Sequence, residues 1–357
     1  MHLWFDISFH GYGHLSQAAE VINACAIQHP DLRLTVKCAA PRAVIARRIR
    51  VPFTHIQSAS DVTMAMVSAV EVDADASARG YQAFHRDWAR HMADYTALLR
   101  HAAPDVVLAN VAYLPLAAAK RAGIPAAGLC SLNWADIYAH YCGGRPEAAE
   151  ILGEMRAAYA GAERFIRLEP AMPLHDLPNR VAVGPVAQYG QSQRAHINRQ
   201  LGLNPDEKLV LVNMGGMHFR PPMESCPRLP GVTWLVQQDW CVQHADAHAF
   251  EPLGMAFTDL LASCDAVLGK PGYGLFTEAA VNAVPLLYLR RVDWPEEPYL
   301  IDWLQQHGRC LEVARADVQR GELLDALQSL WAQPAKPPVQ AGGAQQVVEM
   351  VDLLVRC

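Results

Sequence analysis

The first residues able to do chemistry are His10-Gly11-Tyr12-Gly13-His14, set between an apolar run, Leu3 to Phe9, and a helical pattern, Leu15 to Ala26. Glycines let a backbone turn tightly or come close to a ligand. The helix start behind them favours negative charge. Imidazole titrates near neutral pH, so His10 or His14 could serve as a base there. A helix-capping turn with one structural histidine explains the same residues. Only two glycines are present, so this is not the dinucleotide fingerprint.

A second group is Gly269 to Glu278, written GKPGYGLFTE, again between a strand and a helix. Gly272 and Gly274 free backbone amides for an anion, and Lys270 can neutralise phosphate charge. Thr277 and Glu278 fall in the first helical turns. One carboxylate can accept two hydrogen bonds, so Glu278 can reach a pair of vicinal hydroxyls. The lysine precedes the glycines, so the segment is not a Walker motif. A tight turn with a capping acid is the plainer account. Met214-Gly215-Gly216-Met217 closes another strand, where adjacent glycines can admit a phosphate; a hairpin or hinge is the equal alternative. Arg290, Arg291, Asp293, Trp294, Glu296 and Glu297 read as a sugar or phosphate contact surface, or else as a solvated charged loop. His244 and His248 have metal-ligand spacing if helical, but no glutamate completes the HExxH pattern, and a surface pair is the simpler reading.

The elements behind these groups alternate. Strands are expected at Leu32 to Lys37, Val51 to Ile56, Val106 to Ala109, Ala126 to Cys130 and Arg164 to Leu168. Helices are expected at Ala78 to His101, as one long element, and at Leu114 to Ala122. Asn179 to Val186 reads as a connection, in a stretch holding Pro170, Pro173, Pro178 and Pro185. A second series follows, with strands at Leu209 to Asn213, Thr233 to Val236, Asp265 to Leu268 and Pro285 to Leu289. Its helices are Ala256 to Ala262, Leu275 to Asn282 and Pro298 to Gln306. The expected domains are 1–170 and 186–335, with 336–357 a tail helix that could return to the first. This rhythm predicts α/β architecture with parallel sheets of the doubly wound kind.

Composition bounds the function. Of 357 residues, 52% are hydrophobic and 18% charged, so the chain can build cores and is not disordered. The net charge of -6 and the lack of a basic stripe exclude an electrostatic nucleic-acid binder. The nine cysteines are odd in number and widely spaced, with no CxxC, against a disulfide framework or structural zinc. Reduced thiols suit a cytoplasmic protein. The start, MHLWFDISFHGYGH, lacks the pattern of a signal peptide, and no apolar run suggests a membrane span.

At this point the chain resembles the GT-B glycosyltransferases, in the branch that includes the bacterial lipid-II GlcNAc transferase and the nucleotide-sugar glycosyltransferases of small molecules. The resemblance covers nearly the whole chain. It rests on Gly11-Tyr12-Gly13-His14, on Gly215-Gly216, and on Pro271-Gly272-Tyr273-Gly274-Leu275-Phe276-Thr277-Glu278-Ala279-Ala280. The region from Gly269 to Glu297 is also similar to the transferase-like N-terminal part of plant arabinokinases.

The resemblance implies two Rossmann-like domains facing a cleft, with the acceptor on the first and the nucleotide sugar on the second. His14 matches the histidine that removes the acceptor proton. Gly215, Gly216, Gly272, Gly274 and Thr277 match diphosphate-facing positions, and Glu278 the ribose-binding acid. Val236 falls near the base, through its main chain; Asp293, Glu296 and Glu297 fall where the donor sugar is held. Gly13, Lys270, Tyr273 and Arg291 complete the implied donor contacts. Many members pair the histidine with an aspartate; here the strand ends in Asn110, with Asp136 or Asp6 as substitutes. The implied reaction is a metal-independent, inverting transfer from a nucleotide sugar, with UDP the first expectation and dTDP or GDP next. The acceptor is a small molecule or a lipid-linked hydroxyl. A nucleotide-sugar epimerase or hydrolase, or a non-catalytic nucleotide-sugar-binding protein, shares the same implied architecture.

Overall fold

A computed structural model describes residues 1–68, 71–215 and 220–356. It divides into two compact units. The first holds Met1–Val67, Val72–Ala187 and the stretch from Gly342; the second is chiefly Gln188–Ala341.

The first unit is built on seven parallel strands: β1 (His2–Ile7), β2 (Arg33–Cys38), β3 (Thr54–Ile56), β4 (Val106–Asn110), β5 (Ala126–Cys130), β6 (Arg164–Leu168) and β7 (Arg180–Val183). Their order across the sheet is β3-β2-β1-β4-β5-β6-β7. All residues of β1, β4 and β5 are buried, as expected of strands covered by helices on both faces. The chain leaves β1 in one direction across the sheet and resumes at β4 on its other side. Ile7 pairs with Asn110, so the carboxyl ends of these strands lie together at that switch point.

The second unit repeats the plan with six strands: β8 (Lys208–Asn213), β9 (Val232–Val236), β10 (Ala247–Ala249), β11 (Ala266–Gly269), β12 (Leu286–Tyr288) and β13 (Cys310–Glu312). The order is β10-β9-β8-β11-β12-β13, all parallel. Here Asn213 pairs with Gly269 at the switch between β8 and β11. Val210, Val212, Trp234, Leu268 and Leu287 belong to one buried cluster of this unit.

The expected pair of parallel sheets is therefore present, with several local differences. The single helix expected over Ala78 to His101 is two, Ala74–Arg86 and Trp88–Ala102. Asp87 interrupts them at φ -102 and ψ 17; its carboxylate accepts from Arg90 at 2.6 Å. The connection read at Asn179 to Val186 contains β7, which adds a seventh strand beside β6. Helices at Trp134–Cys142, Ala148–Ala160 and Arg194–Leu201 were not anticipated. His248 lies on strand β10 rather than on a helix, and His244 Nε2 donates to the Cys226 carbonyl, 3.0 Å away. Asp246 between them pairs with Arg228 at 2.7 Å, so the histidines do not form a helical metal pair.

The last helix, Gly343–Arg356, groups with the first unit. It packs on helix α1 (Tyr12–Gln28) and buries Val347, Val348 and Val351. His29, the residue after α1, meets Asp352 at 2.7 Å.

Candidate functional site

The sharp exit from β1 depends on Gly11, which caps α1 at φ 90 and ψ -172, a conformation open essentially to glycine. The turn delivers His14 into the first turn of α1, where it is 8% exposed. Its Nδ1 lies 2.9 Å from Oδ1 of Asn110, at the end of β4. The two residues, 96 positions apart, meet because β1 and β4 flank the switch. The other sequence candidates bond elsewhere. Asp6 accepts from the Tyr95 hydroxyl, and Asp136 accepts from Asn133 at 2.9 Å.

Burial strips water from His14 and lowers its pKa to about 4, against a smaller opposing effect from Asn110. The imidazole is therefore neutral at physiological pH. With the amide oxygen as acceptor, Nδ1 carries the proton and Nε2 keeps its lone pair. Three neighbours were absent from the sequence reading. Gln17, one turn further along α1, accepts from Asn110 Nδ2 at 2.8 Å. Ser131 accepts from Gln17 at 3.0 Å. Trp134 sets its ring against His14, with centroids 5.5 Å apart. The three-residue spacing from His14 to Gln17 was a usable signal on a helix; no local signal reveals Trp134. The Trp134 indole donates to Asp61 at 2.8 Å, and burial pushes the Asp61 carboxyl up to about 6.

In the second unit, β8 ends at Asn213, whose side chain accepts from the Gly215 amide at 3.0 Å. Gly215 has φ 77, and a Cβ there would stand 3.4 Å from Cε of Lys270. The glycine thus serves the turn, and Lys270 lies against it. Lys270 follows β11, is 8% exposed, and has its pKa lowered to about 7, first by burial and then by Arg291. Arg291 donates to the Pro271 carbonyl at 3.2 Å and lies 4.9 Å over the Trp294 ring. Two basic groups thus collect beside the helix Tyr273–Val281, which begins after Gly272 without a side-chain cap.

The remaining candidates divide by placement. Gly13 is in the first turn of α1, with open space where a Cβ would stand. Gly272 and Gly274 lie at the uncapped helix start, and Tyr273 between them is buried. Glu278 is 2% exposed on the same helix. Thr277 is fully buried on this helix, and its hydroxyl donates to the Tyr273 carbonyl at 2.8 Å. Val236 ends β9, but its carbonyl already accepts from Phe250 at 3.0 Å. Glu297 accepts from the Arg291 amide at 2.9 Å, and burial raises its pKa. Glu296 accepts from the Trp294 indole at 3.1 Å, while Asp293 is exposed. Gly216 lies outside the described residues. Among the described residues, no three His, Cys, Asp or Glu side chains gather to hold a metal ion, and no helix is long and apolar enough to cross a membrane.

Two parallel sheets of the same doubly wound order, each with polar groups at its switch point, describe the GT-B fold. The chain has that fold and resembles nucleotide-sugar-dependent glycosyltransferases. It is similar to the crystal structure of the glycotransferase of kitacinnamycin, with a TM-score of 0.68 and 16% identity over 99% of both chains. It is also similar to a UDP-N-acetylglucosamine 2-epimerase, with a TM-score of 0.58 and 12% identity over 99% of this chain and 96% of that one. At such identities the likeness is one of fold. No family model matches the chain. Over 342 residues, 95% of this chain, it is 25% identical to the L-arabinokinase of Arabidopsis thaliana. The chain spans 32% of the length of that relative.

Proposed function

We propose that this protein transfers a sugar from a nucleotide sugar to a hydroxyl acceptor, without a metal and with inversion at the anomeric carbon. The observation that carries this reading is the His14–Asn110 contact of 2.9 Å, which leaves Nε2 as an available base at the first switch point. His14 Nε2 takes the acceptor proton. The acceptor oxygen bonds to the anomeric carbon as the carbon–phosphate-oxygen bond breaks, and the nucleoside diphosphate leaves. Lys270, Arg291 and the amides after Gly272 stabilise the departing charge. Glu278 holds the ribose, and Asp293 and Glu296 take the donor-sugar hydroxyls. UDP is the first donor to test, then dTDP and GDP. The acceptor is a small molecule or a lipid-linked hydroxyl. A cytoplasmic setting goes with this reading.

A panel of nucleotide sugars with candidate acceptors, read by mass, tests the assignment. His14→Ala is expected to lower kcat by about 10²–10⁴-fold, the range of general-base catalysis, with donor affinity retained. Glu278→Ala is expected to weaken donor binding. Full transfer by both variants would overturn the roles. The likeness to an epimerase supports a second reading, turnover of the nucleotide sugar with no acceptor present, and the same panel without acceptor separates the two.

A further inference from the structure

Two polar groups meet His14 Nδ1: the Cys130 thiol, a weak partner at 3.6 Å, and the first of a chain of amides. His14 Nδ1 donates to Asn110 Oδ1 at 2.9 Å, Asn110 Nδ2 to Gln17 Oε1 at 2.8 Å, and Gln17 Nε2 to Ser131 Oγ at 3.0 Å. These residues are 8%, 0%, 2% and 1% exposed, in that order, so water does not compete for their bonds. A carboxylate offers the same acceptor at both ends. An amide does not: its oxygen only accepts and its nitrogen only donates. The end of Asn110 that faces His14 therefore decides which ring nitrogen holds the proton. If Asn110 turned round, Nδ2 would face Nδ1, the proton would move to Nε2, and no lone pair would remain there.

Asn110 alone cannot choose, because its two ends have nearly the same shape. A partner that accepts from Nδ2 makes the choice. We propose that Gln17 is a positioning residue: by accepting the Asn110 amide, and anchored in turn by Ser131, it holds Oδ1 on His14 and fixes the tautomer whose Nε2 can take a proton. Two neutral amides thereby orient the ring as a carboxylate would. The significance for catalysis rests on reading His14 as the base; the tautomer itself does not.

The test is nitrogen NMR of the full chain labelled in histidine, with His14 assigned by its loss in His14→Phe. The parent protein should show a protonated Nδ1 and a bare Nε2. Gln17→Met, similar in length with no acceptor, should lose that single pattern and show Nε2–H. Gln17→Glu should restore it, because an acceptor-only carboxylate still takes the Asn110 N–H. Ser131→Ala frees the far end of Gln17 and should mix the two forms, which keeps the test open if Gln17→Met fails to fold. In transfer assays kcat should fall at least about tenfold in Gln17→Met and recover in Gln17→Glu, with KM unchanged. A protonated Nε2 in the parent overturns the proposal, as does an unaltered pattern in both Gln17→Met and Ser131→Ala. If the tautomers behave as expected but no sugar is transferred, the functional reading fails and the positioning role stands.

Discussion

Asn110 can orient His14 but cannot balance a charge on it. The imidazolium formed during proton transfer would find an amide where a carboxylate would lower its energy. Asn110→Asp should therefore move the His14 titration upward from about 4, since a buried negative neighbour favours the protonated ring. The NMR titration of His14 checks the direction. The low native pKa also has a stability sign. As pH falls from about 6.5 towards 4, the unfolded chain binds a proton that native His14 refuses. Stability contributed by neutral His14 is lost through that window, and His14→Phe should flatten this part of the curve in denaturant melts. Lys270 gives the opposite lever on binding. Because its pKa is lowered to about 7, an anion bound beside it would draw a proton onto it above that pH. Affinity for UDP should fall as pH rises through that value, and calorimetry in buffers of different ionisation heat should detect proton uptake. Lys270→Met should remove both effects.

At the scale of elements, glycine turns and buried strands were legible because they depend on local rules. Ala126–Cys130 and Arg164–Leu168 fall where their apolar runs place them. The break at Asp87 was hidden because Tyr81, Phe84, Trp88, Met92 and Tyr95 continue an apolar pattern across it. Strand β7 was hidden among prolines, since its pairing with β6 is a tertiary fact. The site divides in the same way. Strand-end glycines and His14 carried their own signals, whereas Trp134 reaches His14 only through folding. The Thr277 hydroxyl, placed near a helix start by its sequence position, donates to the Tyr273 carbonyl within that helix. The terminal helix Gly343–Arg356 invites a direct test. Removing it would uncover Val347, Val348, Val351 and their partners on α1. Each valine is worth about 1.5 kcal/mol of burial, so truncation before Gly343 should cost the first unit several kcal/mol. Chemical denaturation would measure it as a lower midpoint.

For the whole molecule, two sheets of one winding order place polar groups at two comparable switch points, and composition alone could not have separated this from one large domain. The low charged fraction matches strands buried on both faces. If the second unit binds the nucleotide, UDP at 100 times its Kd should stabilise it by about 2.7 kcal/mol. Hydrogen exchange should then slow at Gly215 and at the amides from Gly272 to Gly274. Equal protection spread over the first unit would assign the nucleotide elsewhere.

The return of the last helix to the first unit also bears on how the protein is made. Synthesis completes Ala187, then the whole of Gln188–Ala341, before the helix that covers α1 emerges. At about 5–20 residues per second, the intervening chain takes about 8–31 s. Through that interval the nascent first unit carries an uncovered apolar strip on α1, a surface for chaperones or for misassembly with a neighbouring nascent chain. Ribosome pausing inside the second unit would lengthen this exposure, although no residue of the first unit has changed.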